Sequence, residues 1–289
     1  MRNILFIIMI SFILLPSSLS AEKLDFKYIK KYGIFSKIAY GGKPSIIKSL
    51  QGSNYQLSRY SELTDMRVGY YLITDHVAKN QIIVARGTDN IENVVVDLKL
   101  QLKNDSDLSI LLHSGFTTAA KAIYKDVKNS LKKEYTIQTT GHSLGGAIAV
   151  ILSMYLDKDG YKMGRIVTFG QPKVTNVSGA EKYQHLKIIR VVTSQDIVPI
   201  VPPFDAVDIK NIDIFWHIGI ELILLDGNKY SITKGLKSML RATSFLKKVP
   251  DKENLKYHKM DMYLDLIEKK QKSSEKIPYK NDFSFLDLF

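Results

Sequence analysis

Between residues 24 and 40 the apolar side chains Leu24, Phe26, Ile29, Tyr32, Ile34, Phe35, Ile38 and Ala39 recur at roughly helical spacing. That predicts an amphipathic helix, and Gly41-Gly42-Lys43-Pro44 reads as its stop. Two β-branched and aromatic runs, 68–74 and 81–85, flank a polar turn in the pattern of an antiparallel hairpin. Beyond them the period alternates. A helix is predicted over 117–131, a strand over 135–140, a helix over 145–156 and short apolar strands over 165–169 and 187–192. Strands alternating with helices predict an α/β fold, a mostly parallel central sheet with helices on both faces.

The two ends break this pattern. Arg2, an almost wholly apolar run over 4–15 and the small-residue segment Pro16-Ser17-Ser18-Leu19-Ser20-Ala21 together read as a secretory signal peptide, residues 1–21. The run is about 12 residues long, short of the roughly 20 that cross a bilayer as a helix. A single domain is expected over 22–267. The remaining residues, 268–289, read as a tail: charged and solvated over 268–276, then apolar in Phe283-Ser284-Phe285-Leu286-Asp287-Leu288-Phe289. That last segment either docks on the core or meets a lipid surface or partner.

Composition narrows the classes. With 45% hydrophobic and 24% charged residues, a chain of 289 is neither a disordered polymer nor a collagen or coiled coil. Lys+Arg 41 against Asp+Glu 29 gives +12, a charge that draws anionic lipid weakly. The basic residues are scattered and no nucleic-acid motif accompanies them, so no nucleic-acid partner is expected. The absence of cysteine excludes disulfides, a thiol nucleophile and thiolate metal sites.

The candidate chemistry centres on Gly141-His142-Ser143-Leu144-Gly145, a G-x-S-x-G between a predicted strand and a predicted helix. That setting is the nucleophile elbow, a sharp turn that exposes a serine hydroxyl. Glycines there let strand and helix approach closely. A serine hydroxyl needs a base held by a carboxylate. Asp196, just past the end of a buried strand, is the acid candidate, and Asp205, Asp208 and Asp213 are weaker. The chain order Ser, acid, His excludes His76, His113, His142 and His185 and leaves His217 and His258.

From about residue 24 to 265 the chain resembles the class 3, or fungal-type, lipases of the α/β-hydrolase fold. The resemblance rests on Val84-Ala85-Arg86-Gly87-Thr88, His113-Ser114-Gly115-Phe116, Thr140-Gly141-His142-Ser143-Leu144-Gly145-Gly146-Ala147, Thr168-Phe169-Gly170-Gln171-Pro172-Lys173-Val174 and Asp196-Ile197-Val198-Pro199. His258-Lys259-Met260-Asp261-Met262-Tyr263 matches the family's terminal histidine and tyrosine, which favours His258 over His217. The resemblance implies a triad of Ser143, Asp196 and His258, an oxyanion hole at Thr88 and Leu144, and no metal or organic cofactor. It also implies a short helical lid over 89–98 with Ile91, Val94, Val95 and Leu98, although members commonly carry tryptophan where Val94 stands; the alternative is a plain surface helix burying Val94, Val95 and Leu98. The activity implied is that of a secreted triacylglycerol lipase working at a lipid surface. Alternatives are a phospholipase A or an aryl-ester (feruloyl-type) esterase on the same scaffold, or an inactive lipid-binding protein.

Overall fold

Asp25 starts the first helix by accepting the N–H of Lys27 at 2.9 Å and of Tyr28 at 3.1 Å, so two of the four orphan donors are satisfied. In this computed structural model, which describes residues 24–88, 101–201, 214–240 and 255–279, that helix is α1, Phe26–Ile38. A short 3₁₀ turn over Ala39–Gly41 follows it. The expected stop at 41–44 is only a change of direction. Gly42, at φ +69°, redirects the chain, and α2, Gly42–Leu50, begins there. Pro44 falls in its first turn, where a missing N–H costs nothing.

The chain then lays down β1 (Gln56–Leu63), β2 (Val68–Asp75) and β3 (Asn80–Arg86) as an antiparallel meander, of which β2 and β3 are the expected hairpin. Two short strands, β4 (Leu102–Asp105) and β5 (Ile110–His113), lead into α3, Ser114–Val127. This helix starts earlier than expected because His113 caps it, its Nδ1 accepting the Phe116 N–H at 3.4 Å. The parallel layer follows: β6 (Thr136–His142), α4 (Leu144–Lys158), β7 (Ile166–Phe169), the short β8 (Thr175–Asn176) and α5 (Val177–Lys182), then β9 (Ile188–Thr193). Last come β10 (Phe215–Trp216), β11 (Ile220–Leu224), β12 (Lys229–Lys234), α6 (Leu236–Leu240), α7 (Met260–Lys272) and β13 (Glu275–Lys276).

The main sheet has the order β1-β2-β3-β6-β7-β9-β11-β12-β13, parallel from β3 through β11, while β10, β8, β5 and β4 form a separate small sheet. Both faces of the main sheet are covered. Tyr71, Ile73, Ile82 and Val84 pack on one side with α1 and α7, and Tyr70, Leu72, Ile83 and Ala85 pack on the other with α3 and α4. The alternation along a single strand therefore feeds two cores, which is why β2 reads as a continuous apolar run. Among the described residues no helix is long and apolar enough to cross a membrane.

Of the charged segment expected over 268–276, all but Lys270 is exposed. α7 runs through the boundary to Lys272, and Lys270 is 2% exposed. Its ammonium donates to the carbonyls of Leu225 at 2.7 Å, Gly227 at 2.9 Å and Leu266 at 3.3 Å. Burial lowers its pKa to about 8. The signal segment 1–21, the lid candidates Ile91, Val94, Val95 and Leu98, the aspartates Asp205, Asp208 and Asp213, and the apolar end over 283–289 lie outside the described residues.

Candidate active site

β6 ends at His142 and α4 begins at Leu144, so Ser143 alone makes the turn between them. Its backbone sits at φ 57° and ψ −130°, a region that costs an L-residue of order 1–3 kcal/mol and is held only by its surroundings. Those surroundings are specific. The Ser143 N–H donates to the Phe169 carbonyl at 2.8 Å, and the Ser143 carbonyl accepts from Gly146 at 2.9 Å and Ala147 at 3.3 Å. A Cβ on Gly145 would stand 2.2 Å from the Ala85 carbonyl oxygen, so only glycine lets α4 start this close to β3. Ser143 is 1% exposed.

Asp196 lies three residues past β9 and His258 two residues before α7, 62 positions apart, yet Asp196 Oδ2 and His258 Nδ1 are 2.8 Å apart. Both are buried, at 0% and 2% exposure. The Tyr263 hydroxyl also donates to Oδ2, and the Val198 N–H donates to Oδ1 at 2.9 Å. Burial alone would push this carboxyl up. The charge and hydrogen bond of His258, with the donors Tyr263 and Val198, outweigh it and hold Asp196 below the usual carboxylate range.

Ser143 is flanked by residues that touch His258. On one side the rings of His142 and His258 have centroids 4.5 Å apart. On the other, Gly170 follows Phe169, and a Cβ there would stand 2.7 Å from His258 Cε1. Ser143 Oγ and His258 Nε2 are buried and, among the described residues, have no hydrogen-bond partner. The Gly87–Thr88 turn after β3 lies against the elbow: a Cβ on Gly87 would be 2.9 Å from the His142 carbonyl oxygen. Ser143, Asp196, His258, Thr88 and Leu144 thus all follow or adjoin the C-terminal ends of β3, β6 and β9, the end of an α/β sheet where sites form.

Residues 82–206 match the family model described as Lipase (class 3). Over that stretch the chain is similar to the class 3 lipases. Among its relatives, the secreted mono- and diacylglycerol lipase 1 of Fusarium solani is 30% identical over 156 residues, 48% of this chain and 44% of that protein. A chloroplastic phospholipase A1 of Arabidopsis thaliana is 28% identical over 124 residues, 39% of this chain and 19% of that protein. The matches therefore span less than half the length of either relative. The structure of lipase II from Rhizopus niveus superimposes with a TM-score of 0.60 at 22% identity, covering 70% of this chain and 81% of that one. This is the α/β-hydrolase fold.

Within this α/β-hydrolase scaffold His217 has a different place from His258. Its Nε2–H donates to the Pro199 carbonyl at 2.6 Å, three residues past Asp196. Lys173, 1% exposed, donates from its ammonium to the next carbonyl, Ile200, at 2.8 Å and from its N–H to Val201 at 3.0 Å. Both side chains pin the turn whose first N–H, that of Val198, holds Asp196. The motif blocks contained Gly170, Lys173 and Tyr263, but residue spacing gave them no role. Tyr40, which reaches His142, left no sequence signal at all.

Proposed function

We propose that the protein is a secreted serine hydrolase of lipid carboxylic esters, of triacylglycerol lipase type. The observation that carries this reading is the buried Asp196–His258 pair, 2.8 Å apart, set against the strained turn of Ser143. In this reading Ser143 Oγ attacks the ester carbonyl carbon while His258 Nε2 takes its proton, and the carbonyl π pair moves onto oxygen. The N–H groups of Thr88 and Leu144 stabilise that oxyanion; fixed donors of this kind contribute ~10²–10³ in rate each. The tetrahedral intermediate collapses, His258 returns the proton to the leaving alcohol, and an acyl-serine remains. Water then repeats the cycle and frees the fatty acid. Asp196 holds the imidazole with its proton on Nδ1 and stabilises the imidazolium that forms.

Relatives named as mono- and diacylglycerol lipases support an acylglycerol substrate, and a relative named phospholipase A1, together with the charge of +12, supports a phospholipase A as the second reading. The apolar segment after Arg2 and relatives named as secreted support export. A fluorophosphonate probe followed by peptide mapping tests the chemistry. Labelling on Ser143, abolished by prior denaturation, is the expected result. Folded protein that stays unlabelled while still binding lipid vesicles would instead mark an inactive lipid-binding scaffold.

A further inference from the structure

His142, the first variable residue of the elbow, uses both of its ring nitrogens. Nε2 faces the main-chain carbonyl of His258 at 2.7 Å, and Nδ1 faces the Tyr40 hydroxyl at 2.9 Å. A carbonyl only accepts, so Nε2 carries the proton. A neutral imidazole protonated there has a lone pair on Nδ1, so Tyr40 donates. The ring is neutral: burial first, then the neighbouring His258, lower its pKa to about 3. It therefore stays a fixed donor while the imidazole beside it gains and loses a proton.

Tyr40 comes from the turn between α1 and α2, 102 positions from His142. A Cβ on Gly87 would stand 2.9 Å from its hydroxyl and 2.9 Å from the His142 carbonyl oxygen. The hydroxyl thus lies where the Gly87–Thr88 turn, the elbow and the support of His258 converge. His258 itself lies two residues before α7 and is not part of a helix or strand, so its main chain depends on such bonds.

We propose that Tyr40 and His142 are positioning residues that strap the main chain of His258 and so aim its ring at Ser143. This rests on the reading of His258 as the general base. In this proposal the strap acts only through His258. Holding a base within a fraction of an ångström of its working position is worth up to about 10² in rate.

The variants are Tyr40→Phe, His142→Leu and His142→Gln, the last keeping an N–H near the place of Nε2. For Tyr40→Phe and His142→Leu, kcat on a soluble p-nitrophenyl ester falls about tenfold or more with KM within about twofold. His142→Gln regains most of that loss. Wild-type kcat in Tyr40→Phe, or His142→Gln as slow as His142→Leu, would overturn the strap. A second readout needs no turnover: the low-field Nδ1 proton of His258, bonded to Asp196, gives a sharp NMR signal in the wild type and broadens in Tyr40→Phe. An unchanged sharp signal overturns the proposal. A wild type that shows this sharp signal, with broadening in Tyr40→Phe, but hydrolyses no ester keeps the strap and rejects the hydrolase reading instead.

Discussion

Gly170 leaves no room for a side chain beneath His258. A Cβ there would stand 2.7 Å from His258 Cε1, 2.8 Å from Nδ1 and 2.9 Å from Asp196 Oδ2, and its φ of +56° disfavours any residue with a side chain. Gly170→Ala therefore carries two penalties. The left-handed backbone costs about 1–2 kcal/mol of stability, and the methyl displaces the histidine and aspartate together. The variant's expected kcat is lower by about 10² with little change in KM. Steady-state kinetics on a soluble ester read this, and wild-type kcat in a folded Gly170→Ala would show that the pair does not set the rate.

Tyr263 and His258 share one oxygen of Asp196. Removing the hydroxyl in Tyr263→Phe takes a donor from a carboxylate that burial already disfavours, so the Asp196 pKa rises toward its ordinary value. The sign follows from linkage. A depressed carboxyl pKa contributes stability above the unfolded value of 3.8, lost as pH falls through the folded pKa. The phenylalanine variant therefore unfolds in acid at a higher pH than the wild type, and its kcat drops about tenfold. Acid titrations followed by circular dichroism test the shift; superimposable curves would refute it.

His113 behaves in the same direction for another reason. It is 4% exposed, stacks on Phe116 with centroids 3.8 Å apart and accepts the Phe116 N–H on Nδ1. Burial lowers its pKa from 6.5 to about 4. Between those values the unfolded chain takes up a proton that the folded one refuses, so stability is full above 6.5 and falls as the pH drops toward 4, by about 3 kcal/mol. His113→Asn keeps an acceptor at the helix cap and removes the titration. Urea unfolding at pH 7 and pH 4.5 should show a smaller acid loss in the variant; equal losses would exclude His113 as the cause.

The legible parts of the fold were those written in short-range period. The hairpin of β2 and β3, the strand–Ser143–helix unit and the buried strands β7 and β9 each carry their own apolar run. β1 was missed because it is an edge strand, its residues only half-buried or exposed. α2 was hidden behind Gly41-Gly42-Lys43-Pro44, since the signals that stop one helix also start the next after a bend. Spacing alone sends Lys270 to solvent, since it cannot show the carbonyls of Leu225 and Gly227 in the turn between β11 and β12, or that of Leu266 in the preceding turn of its own helix. In the site, Ser143 and Asp196 were marked by their positions at strand ends. The preference for His258 comes from family resemblance, because spacing alone leaves His217 open as well and cannot show that His258 Nδ1 meets Asp196 in the fold. Tyr40 was invisible: its partner lies 102 positions away, and such a contact exists only once the sheet has formed.

The central claim is that Ser143 is the nucleophile for lipid esters. Its most direct test is fatty-acid release from mixed vesicles of triacylglycerol and anionic phospholipid, with Ser143→Ala alongside the wild type. The expected result is release by the wild type and a rate at least about 10⁴-fold lower in the variant. Diacylglycerol or lysophospholipid among the products then names the ester that is cleaved. Release that persists undiminished in folded Ser143→Ala would contradict the account.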